Sequence, residues 1–222
     1  NSTEQLDIFY EYELNKTSNI RVTIDGINSI KQYCKTNSLA NIKNISFVEK
    51  KQVYSNGNPL KPIDLFDYNL RFNIKKETLI EPKSKKLSFI NNWQNLMKNF
   101  RYKKRFSYIT NDKLFRFDLT ILKSSEKKSN FLAPKTVLKK DVKEYQEKYV
   151  IKPEHQNSFK QWFESLDDDE EVKLKGREYK TMIPKKTLQA SNTLTNNLEY
   201  EIEIEYLGNK LEVVPENNID IL

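Results

Sequence analysis

"NNLEYEIEIEYLGNK", residues 196–210, carries a carboxylate at every second position, Glu199, Glu201, Glu203 and Glu205, with Tyr200, Ile202, Ile204 and Tyr206 between them. Strict alternation over eight residues reads as a β-strand, glutamates on one face and tyrosines and isoleucines on the other. Side chains two apart on a strand lie roughly 6.5 to 7 Å from each other. At an effective dielectric of about 20, each neighbouring pair of carboxylates then repels by roughly 2 kcal/mol. A chain tolerates such a row by facing it to bulk water, by opposing it with Lys and Arg, or by using it to hold a cation.

The same period recurs upstream. "IFYEYELNK" (8–16) sets Tyr10, Tyr12 and Leu14 opposite Glu11 and Glu13, and "NLRFNIKKE" (69–77) sets Leu70, Phe72 and Ile74 opposite Arg71, Asn73, Lys75 and Glu77. "RYKKRFSYI" (101–109) places Tyr102, Phe106 and Tyr108 opposite Lys103, Arg105 and Ser107, with Lys104 interrupting the apolar row. "LFRFDLTI" (114–121) places Phe115, Phe117, Leu119 and Ile121 opposite Arg116, Asp118 and Thr120. Residues 45–55 and 171–180 read as further strands. Helical spacing predicts helices over 25–35, behind an Asp25 cap, over 85–100 through Leu87, Ile90, Trp93, Met97 and Phe100, and over 154–166. The acidic run 166–171 reads as a solvated loop closing the third. The class is α+β, dominated by antiparallel strands with helices to cover apolar sheet faces.

Composition removes several alternatives. One cysteine, Cys34, excludes an intramolecular disulfide and fits a reducing, intracellular compartment, and one His beside it leaves no Cys/His zinc site. Four glycines, with no GxxxxGK[ST] and no GxGxxG, argue against a P-loop or a dinucleotide fold. No apolar run approaches a membrane span, and the first residues carry no signal-peptide core. The net charge of +7 favours a polyanionic partner.

Taken singly, each strand is an ordinary half-exposed sheet strand. Together, however, the polar faces sort into glutamate-only and Arg/Lys-rich kinds. That sorting suggests a closed antiparallel barrel of about eight strands, its charged faces lining the lumen and helices packed outside. Glutamates on one wall and basic groups on another suit a metal-bound polyphosphate, a hard cation on the carboxylates and phosphate oxygens on the cations.

The E-x-E strand near the start ("YEYEL") and the E-x-E-x-E strand near the end ("YEIEIEY") resemble the two metal-site strands of the triphosphate tunnel metalloenzymes. "KKRFSY" resembles that family's basic strand, "FRFDLTILKSS" its R-x-D strand, and "NLRFNIKKE" the arginine-bearing strand upstream. In this order they are most similar to the RNA 5′-triphosphatase domain of mRNA capping enzymes from large DNA viruses, of mimivirus type. The resemblance implies one tunnel domain over 1–222, the N-terminal part of a longer capping enzyme with guanylyltransferase and methyltransferase domains on the same chain. It also implies a site in a virion or cytoplasmic viral factory.

The activity it implies is metal-dependent release of the γ-phosphate from a 5′-triphosphate RNA end. Metal would sit on Glu11, Glu13, Glu201, Glu203 and Glu205, and oxygen-only ligation would favour Mg²⁺ or Mn²⁺. Arg71, Lys75, Lys103, Arg105 and Arg116 would cradle the triphosphate. Asp118 would orient Arg116, and Glu77 would position the attacking water. The chain departs from the pattern in having Asn15 where many relatives carry a lysine, in residues 125–195, which match nothing in the family, and in lacking K-x-D-G. Free nucleoside triphosphates, thiamine triphosphate or polyphosphate would suit the same lumen. A non-enzymatic RNA-binding domain with solvated glutamates remains the third reading. Cys34, Trp93 and Trp162 read as helix core, and His155 as a surface residue.

Overall fold

The computed structural model describes residues 2–65, 70–142, 150–151 and 159–208. The predicted helix start at 154–158, and His155 with it, lies outside them. Two compact units emerge, one made of residues 1–126 and 182–222, the other of residues 127–181.

The larger unit opens with β1 (Ser2–Glu13) and β2 (Lys16–Asp25), which turn about Asn15 at a positive φ of 61°. Lys16 begins the next strand, and its ammonium pairs with Glu13 at 2.6 Å. Helix α1 (Ile27–Thr36) follows. Its N-cap is Gly26 at a φ of 81°, not Asp25, which ends β2 and accepts a hydrogen bond from Gln5 Nε2 at 2.7 Å. Next come β3 (Ile45–Gln52) and a short hairpin, β4 (Tyr54–Ser55) with β5 (Asn58–Pro59), turning on Asn56 and Gly57, both at positive φ. The segment expected as one strand over 69–77 is two. β7 (Leu70–Phe72) pairs with β6 (Ile63–Leu65), and after Asn73 and Ile74 the chain moves across to lay β8 (Lys75–Leu79) on β3.

The helix expected over 85–100 is a 3₁₀ segment, Lys85–Asn95, followed by β9 (Lys98–Ile109). Its apolar residues Leu87 and Ile90 are three apart, the repeat that a 3₁₀ helix stacks on one side, and Trp93 follows a kink at Asn92 (φ −111°, ψ 16°). Phe100, read as the end of that helix, is a strand residue. After β9 comes β10 (Phe115–Ser124).

In the smaller unit, β11 (Lys127–Leu132) pairs with β14 (Arg177–Met182), and β12 (Lys135–Leu138) with β13 (Glu171–Leu174). Helix α2 (Phe159–Ser165) packs Phe159 with Val150 and Val172 in a small core of its own. The strand expected over 171–180 breaks at Gly176, where a Cβ would meet the Phe131 ring at 2.7 Å. The acidic run lies on exposed turns, Asp168 and Asp169 facing Lys139 and Lys140.

Back in the larger unit, β15 (Glu199–Tyr206) completes an antiparallel sheet of seven strands in the order β15-β10-β9-β1-β2-β3-β8. Its core covers one face only. Leu6, Ile8 and Tyr10 of β1, Val22 and Ile24 of β2, and Phe100 of β9 pack against Tyr33 of α1 and against Leu87 and Trp93 of the 3₁₀ segment. Phe89 stacks on Tyr10 with ring centroids 4.2 Å apart. The expected closed barrel is therefore corrected to an open one. Among the described residues β8 and β15 are the two edges, and the strands of 127–181 pair with each other instead of bridging them.

Candidate functional site

The other face of the seven-stranded sheet collects the charged positions, because alternation sends every second residue there. In the aligned rows Asp7 lies between Thr23 and Arg101, Arg105 lies between Thr3 and Thr120, and Thr120 faces Glu201. Ion pairs on this face skip a strand. Arg101 Nη2 reaches Glu201 at 2.6 Å and Arg105 Nη2 reaches Glu203 at 2.9 Å, both across β10, and Arg21 Nη2 reaches Glu77 at 3.3 Å across β3. Neighbouring strands are about 4.8 Å apart, so these long side chains lean over the intervening strand and cover this face. Burial agrees: Asp7 and Asp118 are each 2% exposed although both sit on the charged side.

Two centres are built on this trough. At the first, Asp118 Oδ2 accepts from Arg116 Nε at 3.1 Å and faces Arg105 Nη1 at 3.3 Å, while Oδ1 accepts from Ser107 Oγ at 2.6 Å. Arg116 also bonds Glu205, and Arg105 Nε donates to Thr120 Oγ1 at 3.3 Å. Two guanidiniums are thus fixed side by side on one buried carboxylate. At the second centre, Lys103 Nζ meets Asp7 Oδ2 at 2.6 Å, and Asp7 Oδ1 accepts from Thr23 Oγ1 at 2.9 Å, with Arg21 Nε 3.9 Å away. Burial depresses the proton affinity of Lys103, a pull that the Asp7 carboxylate opposes. Beyond it, Glu77 holds Lys50 at 2.7 Å. Burial works against ionisation of Glu77, but Lys50 and Arg21 outweigh it and keep its carboxyl below the usual range. Asn99 Oδ1 and Arg21 Nε, on either side of Phe9 in the pairing, are buried with no hydrogen-bond partner among the described residues.

The predicted residues divide accordingly. Lys103, Arg105, Arg116, Asp118, Glu201, Glu203 and Glu205 come together on β9, β10 and β15. Lys75 and Glu77 lie on β8 at the far edge of the sheet, where Lys75 bonds Gln52. Arg71 is on β7, which pairs with β6 outside the seven-stranded sheet. Glu11 keeps the charged face, but a register shift between Glu11 and Glu13 breaks the alternation there, and Glu201 is level with Thr3 of β1, eight residues from Glu11 in the register. Glu13 is held by Lys16.

Asp7, Arg21, Arg101 and Thr23 were missed. Asp7 keeps the parity of Glu11 and Glu13, so continuing their period upstream finds it. Arg21 and Thr23 sit on β2, whose "NIRVTID" alternates as cleanly as the strands that were recognised.

Among the described residues no group of three or more His, Cys, Asp or Glu side chains is placed to hold an ion. The carboxylates of Glu201, Glu203 and Glu205 are each engaged by a guanidinium. The glutamate row is thus accommodated by opposing it with arginine.

No protein-family model matches the chain, and no curated protein matches it. Among solved structures, a monoclinic crystal form of the mimivirus capping enzyme triphosphatase aligns at 22% identity with a TM-score of 0.41, covering 56% of this chain and 58% of that one. The chain is similar to the mimivirus capping enzyme triphosphatase. A triclinic form of the same protein aligns at 23% identity and a TM-score of 0.41, over 56% of this chain and 57% of that one. The chain thus spans under two thirds of the length of the proteins it matches. No helix among the described residues is long and apolar enough to cross a membrane.

Proposed function

We propose that the trough binds the 5′-triphosphate end of an RNA and hydrolyses its γ-phosphate, leaving a diphosphate end. The observation that carries this reading is the pair of guanidiniums, Arg105 and Arg116, clamped on buried Asp118, with Arg101 and Lys103 following on the same strand face. Planar bidentate donors fixed side by side suit adjacent phosphoryl groups and the charge that develops on their oxygens in the transition state.

Asp118 holds the clamp through Ser107 and both arginines and does not meet substrate. Lys103, backed by Asp7, supplies a point charge to the next phosphate. Arg105 and Arg116 exchange Glu203 and Glu205 for phosphate oxygens. The carboxylates released in that exchange stand where a water attacking the γ-phosphorus gives up its proton as the bond to the β-phosphate oxygen breaks. Lys75 and Glu77 line the opposite edge. The resemblance calls for Mg²⁺ or Mn²⁺, which would be held by the carboxylates of Glu201, Glu203 and Glu205 with Glu11 and Glu13 and would polarise the γ-phosphate.

The test compares phosphate release from triphosphate-ended RNA and from ATP at matched concentrations, with and without Mn²⁺, in wild type, Arg105→Ala and Glu203→Ala. The expected result is release from the RNA, lost by 10²-fold or more in Arg105→Ala, in line with removal of one transition-state donor. Release from ATP alone would move the substrate to free nucleotides. Release from neither, in either condition, with RNA affinity unchanged in both variants, would leave a non-enzymatic RNA-binding domain.

A further inference from the structure

We propose that the smaller unit is a binding site for single-stranded RNA, gripping the chain behind its 5′ end on the ribbon that β11 forms with β14 and β12 with β13. The choice of RNA rests on the hydrolytic reading; the site itself does not. In the trough the guanidiniums of Arg101, Arg105 and Arg116 already hold carboxylates, so they account for little of the net charge of +7. The ribbon concentrates that excess. Residues 127–135 and 173–180 contain seven basic side chains against one acidic one, Glu178. Lys127, Lys128, Lys135, Lys173, Lys175 and Lys180 are all exposed. The acidic run of the same unit lies on the turns beyond, where Asp168 and Asp169 face Lys139 and Lys140.

A basic surface attracts any polyanion. Its aromatic residues narrow this one to unpaired strands. The unit keeps Phe159 for its core with Val150 and Val172, yet leaves Phe131 at 68% and Tyr179 at 42% exposure on the ribbon. Asn130 Nδ2 donates to Thr181 Oγ1 at 2.9 Å, which puts those two residues on one face. By alternation Lys128 and Tyr179 share that face, and Lys127, Phe131 and Lys180 share the other. Each face therefore sets an open ring beside lysine. Gly176 clears space for the Phe131 ring, which a Cβ there would meet at 2.7 Å.

Lysines follow a phosphate backbone while rings stack on successive bases without regard to sequence, the combination by which single strands are bound. In a duplex the base faces are stacked on one another, and phosphates are what such a surface meets.

Fluorescence anisotropy of the whole chain with a short unstructured RNA carrying a 5′-hydroxyl tests this. That end offers the trough no triphosphate, so binding and hydrolysis can fail separately. The strand is expected to bind more tightly than its duplex. The double variant Phe131→Ala, Tyr179→Ala should lose about 25-fold or more, at one stacked base per ring, and the exchange Phe131→Tyr, Tyr179→Phe should keep the affinity. Lys128→Gln with Lys180→Gln should make the fall of log affinity with log salt shallower by about 1.4, for two phosphate contacts fewer. Arg105→Ala should bind this RNA as wild type does while losing phosphate release from the triphosphate-ended one. Equal affinity for the strand and its duplex overturns the proposal. So does an unchanged salt slope in the lysine variant or, in a ring variant whose circular dichroism is that of wild type, an unchanged affinity.

Discussion

The two halves of the seven-stranded sheet follow one sequence rule and end in different environments. In β1 and β2 the apolar side of the alternation is sealed by α1 and the 3₁₀ segment, and Leu6, Ile8, Val22 and Ile24 are all fully buried. In β10 and β15 the same side stays open, with Phe117 at 40% and Ile204 at 60% exposure. The charged side differs in the opposite sense. Near β1 it holds a buried pair, Lys103 with Asp7, while at β15 its glutamates are more than half exposed at Glu203 and Glu205. Alternation therefore says which residues share a face, and only the neighbouring elements decide what that face is worth.

The largest expected contrast is in the packing itself. Phe100→Ala, which empties a site against Tyr33, should cost about 3 to 5 kcal/mol. Phe117→Ala, on the open half, should cost only about 1 to 2 kcal/mol, because two fifths of that side chain is already in water. Urea unfolding of the two variants measures the difference, and equal losses would mean that the open half is covered in solution. The charged side should repeat the contrast. Asp7→Asn strands the Lys103 ammonium in a buried place, at about 3 to 5 kcal/mol, whereas Glu203→Gln at its exposed pair should cost under about 1 kcal/mol.

A third, somewhat smaller effect belongs to pH. Lys98, on the covered half, is fully buried and donates to the carbonyls of Trp93 at 2.7 Å and Leu96 at 2.9 Å. Burial, with Lys186 nearby, pushes its ammonium down from 10.5 to about 8. Below pH 8 both folded and unfolded chains carry the proton, and the folded state bears the full cost of the buried charge. Between pH 8 and 10.5 the folded chain gives the proton up first, so stability rises with pH, by roughly 3 kcal/mol in all. Tyr33, raised by burial, acts in the opposite sense above pH 10. The difference in stability between wild type and Lys98→Met, followed from pH 7 to 10, isolates the lysine: it should narrow steadily in favour of wild type, and a flat difference would refute the assignment.

The strands of the charged trough were legible because eight or nine residues of alternation survive any tertiary context. Their polar parity was legible with them, which is why Lys103, Arg105, Arg116, Asp118 and the β15 glutamates fall on one face. The 3₁₀ segment was misread because Leu87, Ile90 and Trp93 satisfy a three-residue repeat and, with Met97 and Phe100 added, also satisfy a helical one. Register was not legible at all. Nothing in "YEYEL" says that β9 pairing stops at Tyr10, so Glu11 looked like a neighbour of Glu203 when Asp7 was nearer in the rows. Closure failed for a related reason: whether two edges meet depends on residues far apart in sequence, and no local period encodes it.

The strand-skipping pairs of Arg101 and Arg105 join β9 to β15, and that of Arg21 joins β2 to β8. An anion that captures one of these guanidiniums has to displace the carboxylate already on it, so filling this face is a trade of counter-charges.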